Sequence, residues 1–257
     1  MSVSTVTSGS SLDEPKSGRF LRGSSAAVRE LLAALDGRAY VHVIEKEFFL
    51  VTRIVDLFLA EPSYAAGTRL TADRRPAALA LHGPARTELL EAFVAMVRVK
   101  RLRSPDPAAV DRFFRARDAL GVPGVLDGLD RGRVTDVLGR LIEGDPAIPP
   151  PLEPMLPALA ETVLFWSGGR RQVLVVHDEQ SALTAGRLRR LHQALADGAF
   201  SPFAGLVAVD SRDDPRVQVA DLLAGVARRE VVSPAAGPGS AGRRPGPPAT
   251  PWRPAAR

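Results

Sequence analysis

The sequence predicts an α/β protein with a parallel sheet, and three observations support this fold class. Two short apolar runs, at residues 173–176 and 206–209, have the composition of strands that are buried on both faces. Segments with the apolar spacing of helices follow both runs, at residues 184–195 and 214–229. Strands that alternate with helices in this way are typical of parallel strands joined by crossover helices.

The N-terminal part of the chain supplies one further strand and two helices. Residues 1–23 are rich in Ser, Thr and Gly and predict a disordered terminus. A helix is expected over residues 24–35, which begin with two Ser residues that can cap it. The β-branched and aromatic run at residues 39–44 predicts a strand. A strongly apolar helix follows at residues 48–59 and ends before Pro62.

Helical segments dominate the middle of the chain and predict a helical insertion at about residues 77–145. Three helices are expected in this insertion, at residues 88–99, 108–120 and 134–142. A further helix is expected at residues 153–166, and Gly168 follows it where a terminating glycine belongs.

Charge and composition restrict the class of protein further. The net charge is +5, but residues 231–257 hold four Arg and no acid, which leaves +1 for residues 1–230. Charge therefore gives little support for nucleic-acid binding by the folded part. The same C-terminal residues are rich in Pro, Gly and Ala and predict a disordered tail. A single domain is expected at residues 24–230.

The chain contains no Cys, which excludes disulfides and cysteine metal sites. It shows neither the pattern of a secretory signal nor an apolar stretch of membrane-spanning length. We therefore expect a cytoplasmic protein without a membrane partner.

Acidic side chains follow the two apolar runs at the points where these end. Asp178 and Glu179 follow the first run, and Asp210 follows the second. Asp221 lies on the last helix among apolar and small residues, where burial of an unpaired carboxylate would be costly. Because sites in open α/β sheets form at the carboxyl ends of strands, these acids can converge. Convergent carboxylates bind Mg²⁺ or Mn²⁺, and paired ions of this kind promote phosphodiester hydrolysis.

Structural interpretations of the same residues remain open. An Asp that follows a strand can cap a helix or close a turn, which applies to Asp178 and Asp210. His177 can be a structural side chain, and Lys46 can be a solvated charge or a phosphate contact. Arginines on the last two helices can be solvated or can border a nucleic-acid groove. They are Arg187, Arg189, Arg190, Arg228 and Arg229.

Two motifs carry a family resemblance: VVHDEQS at residues 175–181 and VAVDSRDDPRVQVADLLAGVARR at residues 207–229. Together they resemble the DUF3800 family of uncharacterised prokaryotic proteins, whose last helix has a Leu-Gln-Leu-Ala-Asp-Leu core. The resemblance extends, less specifically, over residues 24–229. It implies a ribonuclease H-like fold with a mixed or parallel sheet and an acidic site for Mg²⁺ or Mn²⁺. It also implies that Asp178 and Asp221 are the metal ligands and that Asp210 or Glu179 assists the reaction.

The chain departs from the family at its N-terminus. The family begins with a central strand that ends in Asp-Glu-Ser-Gly and supplies a metal ligand. The nearest counterpart here is Leu12-Asp13-Glu14-Pro15, where the proline and the absence of a β-branched run argue against a strand. We therefore expect the fold to be N-terminally incomplete, with one metal ligand missing.

Three functional hypotheses follow. The first is a divalent-metal-dependent nuclease-like protein, active or degenerate, that acts on nucleic-acid phosphodiesters. The second is a catalytically inactive interaction module, built on the same sheet and helical insertion. The third is nucleic-acid binding through the arginines of the tail alone. Close approach of the Asp178 and Asp221 carboxylates would favour the first hypothesis over the second.

Overall fold

The computed structural model of the protein describes residues 3–7, 25–64, 86–99, 102–121 and 126–232. These ranges contain four strands: β1 (Val3–Thr7), β2 (Ala39–Val43), β3 (Val173–Asp178) and β4 (Phe203–Val209). They also contain eight α-helices. These are α1 (Ser25–Ala34), α2 (Lys46–Ile54), α3 (Thr87–Val97), α4 (Pro107–Ala119), α5 (Arg131–Ile142), α6 (Met155–Ser167), α7 (Ala185–Leu195) and α8 (Pro215–Val232). A π-helix, Val55–Leu59, continues α2.

The strands form two parallel pairs. β1 pairs with β2, from Val3 beside Ala39 to Thr7 beside Val43, and α1 lies between them in sequence. β3 pairs with β4 and α7 lies between them, so that Asp178 stands beside Val209. Parallel neighbours need a crossover connection of this kind, because the end of one strand and the start of the next lie at opposite edges of the sheet. The predicted α/β fold with parallel strands is confirmed.

Helices α6 and α8 connect the two strand pairs, because each packs against β1, β2 and β3. α6 is apolar along most of its length and ends at Gly168, whose φ of 56° is the left-handed conformation expected of a terminating glycine. α6 precedes β3 in the sequence and α8 follows β4. These two helices therefore hold the β1–β2 pair beside the β3–β4 pair.

Residues 1–23 were predicted to be disordered, but Val3–Thr7 within them form the strand β1. The Ser and Thr content of this segment suggested a polar, disordered terminus. Its Val and Thr residues are β-branched, however, and such residues favour a strand when a neighbouring strand is available. β2 supplies that neighbour, and α6 and α8 pack against the new strand. The motif at residues 12–15 and the tail at residues 233–257 lie outside the described residues.

Helices α2 to α5 enclose the larger hydrophobic core. Phe58, Phe93 and Phe113 meet at its centre, fully buried, with ring centroids between 5.9 and 6.5 Å apart. These rings come from the π-helix, α3 and α4, so α2 and its continuation form one core with the predicted insertion. Within the described residues, no helix is both long and apolar enough to cross a membrane.

A second core lies between α6, α7 and the β3–β4 pair. Its buried residues are Tyr64, Leu156, Leu159, Ala160, Val163, Leu191, Leu195 and Phe203. Val175 and Leu206 pack against it from one face of the strands. On the other face Leu174 is 61% exposed and Val207 is 45% exposed. The prediction that both faces are buried is therefore wrong, because four-residue apolar runs do not reveal how many helices cover a sheet.

Candidate functional site at the ends of β3 and β4

The carboxyl ends of β3 and β4 lie side by side and carry three of the predicted acids. Asp178 is the last residue of β3, and Glu179 follows it. Asp210 follows Val209, the residue of β4 that stands beside Asp178. The parallel register therefore brings Asp178 and Asp210 to the same edge of the strand pair, as predicted from the position of each acid after its strand.

Asp178 fastens the ends of the two strands to each other. Its Oδ1 atom accepts a hydrogen bond from the Ser211 amide at 3.2 Å and one from the Glu179 amide at 3.0 Å. The residue is half-buried. A carboxylate that accepts backbone N–H groups in this way stabilises the local chain path and is held in one orientation by it. Asp178 therefore has a structural role whatever its chemical role.

Asp210 is engaged in the turn that leaves β4. Its Oδ1 atom accepts a hydrogen bond from the Arg212 amide at 2.8 Å, and its carbonyl oxygen accepts one from the Asp213 amide at 3.0 Å. These are the contacts of an Asp that closes a turn with its own side chain. The side chain is exposed. Asp210 thus shapes the loop that presents the Ser211 amide to Asp178.

Asp214 begins α8. Its Oδ1 atom accepts hydrogen bonds from the backbone and the Nε atom of Arg216, at 2.8 and 2.9 Å. The hydrogen bonds from the Arg216 guanidinium lower the pKa of the Asp214 carboxyl to about 2. Pro215 occupies the first helical position, where its fixed φ is suited to the start of a helix. These residues fix the direction in which α8 leaves the loop.

Gln218 ties α8 to the same loop. Its Nε2 atom donates to the carbonyl oxygens of Ser211 and Arg212, each at 2.9 Å. Asp221 lies three residues further along α8, and residues spaced by three share one side of a helix. The buried stripe of α8 consists instead of Val217, Leu223 and Val226. Asp221 is exposed, so the cost of burying an unpaired carboxylate does not arise at this position.

The two remaining polar residues of the predicted motif differ in exposure. Glu179 is exposed beside Asp178. His177 is half-buried, and its Nδ1 atom lies 2.7 Å from the carbonyl oxygen of Asp178. This contact agrees with the structural interpretation of His177, because it holds the imidazole against the backbone of the next residue. Lys46 is exposed at the first position of α2.

The acids at this edge provide few ligands for a divalent cation. Among the described residues, no group of three or more His, Cys, Asp or Glu side chains could hold a metal ion. Asp178 and Asp221 remain as two hard oxygen donors. Mg²⁺ is commonly bound by one or two carboxylates together with water and substrate phosphates. The described side chains therefore do not form a complete protein cage for a divalent cation.

A second group of titratable side chains, which sequence reasoning missed, lies between β2 and α6. The Tyr40 hydroxyl is 3.3 Å from Nδ1 of His42, and the Tyr40 ring stacks on Phe165 with centroids 3.8 Å apart. Burial raises the pKa of the Glu161 carboxyl and lowers the pKa of the His42 imidazole. Burial also raises the pKa of Tyr40, with a further increase from the charge of Glu161. The sequence could have indicated this group, because Tyr40 and His42 are two residues apart in a predicted strand and therefore share a face.

Comparisons with known proteins found no family model, no curated protein and no solved structure that matches the chain. A function for the site is therefore inferred from the chain's own residues.

Proposed function

We propose that this chain is a divalent-metal-dependent nuclease-like protein, ribonuclease H-like in fold, that acts on the phosphodiester bonds of nucleic acid. One observation carries the proposal: contacts join Asp178 to the Ser211 amide and the Ser211 carbonyl to Gln218. They hold the end of β3, the loop after β4 and the first turns of α8 together. Asp221 is one turn beyond Gln218 on the same side of α8. The proposal requires that the side of α8 that carries Asp221 faces the loop that contacts Asp178.

Asp178 and Asp221 would hold Mg²⁺ or Mn²⁺ in this proposal. The bound ion would supply an activated water and neutralise charge on the phosphate. Asp178 contributes a carboxylate whose orientation is fixed by the Ser211 and Glu179 amides. Asp210 maintains the loop, and the exposed Glu179 is available to accept a proton from the attacking water.

The sequence of β1 bears on how many acids the site contains. In the resembled family the first strand leads into an acid that serves as a metal ligand. β1 reads Val-Ser-Thr-Val-Thr and contains no acid. The proposal therefore assigns no ligand to β1 and expects a metal affinity that depends on the phosphate of the substrate.

A nuclease assay with Mg²⁺ or Mn²⁺ tests the proposal. The variants Asp178→Asn and Asp221→Asn each remove one charged ligand with little change in shape, and the new amide in Asp178→Asn retains an oxygen that can accept the Ser211 N–H. We expect cleavage by the wild type and a loss in each variant of at least the roughly 10–100-fold that accompanies removal of a metal's outer hydrogen-bond partners. Asp136→Asn is the matched control, because Asp136 is an exposed acid on α5.

Two outcomes would contradict the nuclease proposal. One is equal metal-dependent cleavage by the wild type and Asp221→Asn. The other is the absence of cleavage in a folded wild-type protein supplied with single-stranded and double-stranded DNA and RNA.

The second candidate is a catalytically inactive interaction module, favoured by the apolar face of the β3–β4 pair. Leu174 and Val207 are exposed there on adjacent strands. Exposed apolar side chains that cluster on one surface are typical of contact sites. A wild-type protein without nuclease activity, in which Leu174→Ser/Val207→Ser abolishes a specific association, would favour this candidate over the first.

A further inference from the structure

An exposed phenylalanine belongs to an aromatic stack at the end of α6. Phe165 is 53% exposed, although Tyr40 of β2 covers one face of its ring. The two rings are nearly parallel, with 16° between their planes and 3.8 Å between their centroids. Because the ring is covered on one face and is still more than half exposed, its other face is open to solvent. Phe165 therefore presents a free aromatic face at the surface.

The neighbours of Phe165 hold this face in one position. The ring of Trp166 meets the Phe165 ring edge to face, at 85° and with centroids 5.1 Å apart. Tyr40 is half-buried, and its hydroxyl lies 3.3 Å from Nδ1 of His42. Aromatic pairs in such geometries are favourable beyond the apolar area that they bury. A ring that is fixed before a partner binds loses less conformational freedom on binding.

The segment that follows α6 is basic. Arg170 and Arg171 are exposed and come directly after Gly168 and Gly169, which end the helix. Nε of Arg171 donates to the carbonyl oxygen of Trp166 at 2.7 Å, which holds this guanidinium next to the backbone of the stack. Within the part of the chain that the structure describes, the Nη groups of Arg171 have no acceptor. They are therefore available to an anion.

Glu161 is the acid of α6 that opposes these charges. It lies one turn before Phe165 and is half-buried, and burial raises the pKa of its carboxyl. Arg170 and Arg171 are exposed instead. The exposed charge that α6 and the segment after it contribute beside Phe165 is therefore positive.

A fixed aromatic face beside a positive charge fits a single-stranded nucleic acid. Its bases have flat π faces that stack on aromatic side chains whatever the sequence, and its phosphates are attracted by the guanidinium. A duplex fits less well, because its bases are already stacked on each other and are not splayed out toward a protein ring.

We propose that Phe165 is a stacking platform for one base of a single-stranded nucleic acid, with the Arg171 guanidinium on a neighbouring phosphate. The choice of partner rests on the proposed function. Residues 168–172 lead from α6 to the start of β3, whereas Asp178 ends that strand. The ends of this six-residue strand are roughly 17 Å apart. The platform is thus separate from the acidic site, and substitutions in it leave the acids in place.

Fluorescence anisotropy of the full chain with a labelled single-stranded DNA oligonucleotide, recorded in EDTA, measures binding without metal or catalysis. We expect Phe165→Ala to bind roughly 5- to 150-fold more weakly than the wild type, which corresponds to the loss of one stacked base. Phe165→Tyr retains the ring and should bind nearly as well as the wild type. Phe200→Ala is the matched control and should bind like the wild type, because Phe200 is an exposed phenylalanine in the connection between α7 and β4.

An abasic oligonucleotide separates stacking from a general loss of structure. It carries the same phosphates without bases, so the wild type and Phe165→Ala should bind it with equal affinity. Equal weakening of both oligonucleotides by Phe165→Ala would overturn the platform, because the ring would then act through the fold. Unchanged affinity of folded Phe165→Ala for the oligonucleotide with bases, or an equal loss in Phe200→Ala, would overturn it as well. Circular dichroism melts show whether each variant is folded.

Arg171→Gln tests the phosphate contact. Loss of one contact to a single strand should reduce the slope of log K against log salt by about 0.7. Arg189→Gln is its matched control, because Arg189 is an exposed arginine on α7, and should leave the slope unchanged. An unchanged slope in Arg171→Gln, or an equal reduction in both variants, would overturn the assigned role of Arg171.

Failure of the platform and failure of the proposed function are distinguishable. Base-dependent binding that is lost in Phe165→Ala, together with an inactive wild type in the nuclease assay, would overturn only the proposed function. Cleavage that is lost in Asp221→Asn, together with unchanged oligonucleotide binding by Phe165→Ala, would overturn only the platform. A folded wild type that does not bind the oligonucleotide would also overturn the platform.

Discussion

The Oδ1 atom of Asp178 accepts a hydrogen bond from the Ser211 amide at 3.2 Å, although the two residues are 33 positions apart. The contact joins the ends of β3 and β4 through a side chain rather than through the strand ladder. The side chain of Gln218 in turn donates a hydrogen bond to the carbonyl oxygen of Ser211. The loop after β4 is therefore held between a residue of β3 and a residue of α8.

Asp178→Ala is expected to destabilise the protein, because it leaves the Ser211 and Glu179 amides without their acceptor. The loss of unfolding free energy should be about 1–3 kcal/mol, toward the lower end because Asp178 is only half-buried. Asp178→Asn keeps an oxygen acceptor and should lose less. Urea unfolding at constant m-value measures both changes. Equal stability of wild type and Asp178→Ala would contradict the structural role of this carboxylate.

The pKa of about 2 at Asp214 predicts a specific dependence of stability on pH. The ordinary value is 3.8, so the folded state binds this proton more weakly than the unfolded state does. The stabilisation from Asp214 is therefore fully present above pH 3.8 and is lost as the pH falls toward 2. Asp214→Asn should lower the unfolding midpoint at pH 7, and its difference from wild type should shrink between about pH 4 and pH 2. A difference that stays constant over that interval would refute the assignment.

The ion pair between Arg53 and Asp56 lies inside the helical core, with an N–O separation of 2.5 Å and side chains 4% exposed. Burial lowers the pKa of Arg53, and the charge of Asp56 opposes that effect. Asp56→Ala removes the counter-charge and should cost about 3–5 kcal/mol, because the buried guanidinium is then uncompensated.

An exposed pair and a double variant are the controls for Arg53–Asp56. Asp111→Ala removes the partner of Arg131 at an exposed site and should change stability by less than about 1 kcal/mol. Arg53→Met/Asp56→Leu removes both buried charges and should be more stable than Asp56→Ala alone. Chemical denaturation of the four proteins gives the comparison. Similar losses of unfolding free energy for Asp56→Ala and Asp111→Ala would show that the buried pair contributes no more to stability than the exposed pair.

Glu161 should destabilise the protein at neutral pH. Burial raises its pKa above the ordinary 4.5, so the folded state holds this proton more tightly than the unfolded state. Folding is therefore penalised as the pH rises through and above the folded-state pKa. Glu161→Gln should be more stable than wild type at about pH 7 and nearly equal to it at about pH 4. Thermal melts at the two pH values test this expectation. Glu153→Gln is the control, because Glu153 lies outside the β2–α6 contact. A melting temperature of Glu161→Gln below that of the wild type at the higher pH would contradict the expectation.

The order of helices and strands after residue 24 was predictable because local signals agree with the tertiary environment. Thr184 does cap α7, with its hydroxyl oxygen 3.4 Å from the Arg187 amide, and the Asp214-Pro215 pair does begin α8. β1 was not predictable in the same way. A five-residue strand rich in Ser and Thr is stabilised by its partner strand, and pairing with residues 36 positions away leaves no local signal.

The site was predictable only in part, for a related reason. A strand followed by an Asp predicts that Asp178 and Asp210 lie at one sheet edge, which the parallel register bears out. Whether each acid closes a turn or faces outward depends on which amides are nearby, as at Ser211 and Arg212. The orientation of Asp221 depends on which side of α8 is buried. The helix mixes small, apolar and charged residues, so its sequence does not single out one side for burial. The stacking of Tyr40 on Phe165 is purely tertiary.

The proposal that Asp178 and Asp221 share a divalent ion is tested most directly by Mn²⁺ anomalous scattering from crystals grown with a short oligonucleotide. We expect one strong peak at about 2.0–2.2 Å from an oxygen of each carboxylate, with a phosphate oxygen as a further ligand. The peak should disappear in Asp221→Asn crystals. Carboxylates more than about 8 Å apart, too far for one ion or a metal pair to bridge, would contradict the central claim.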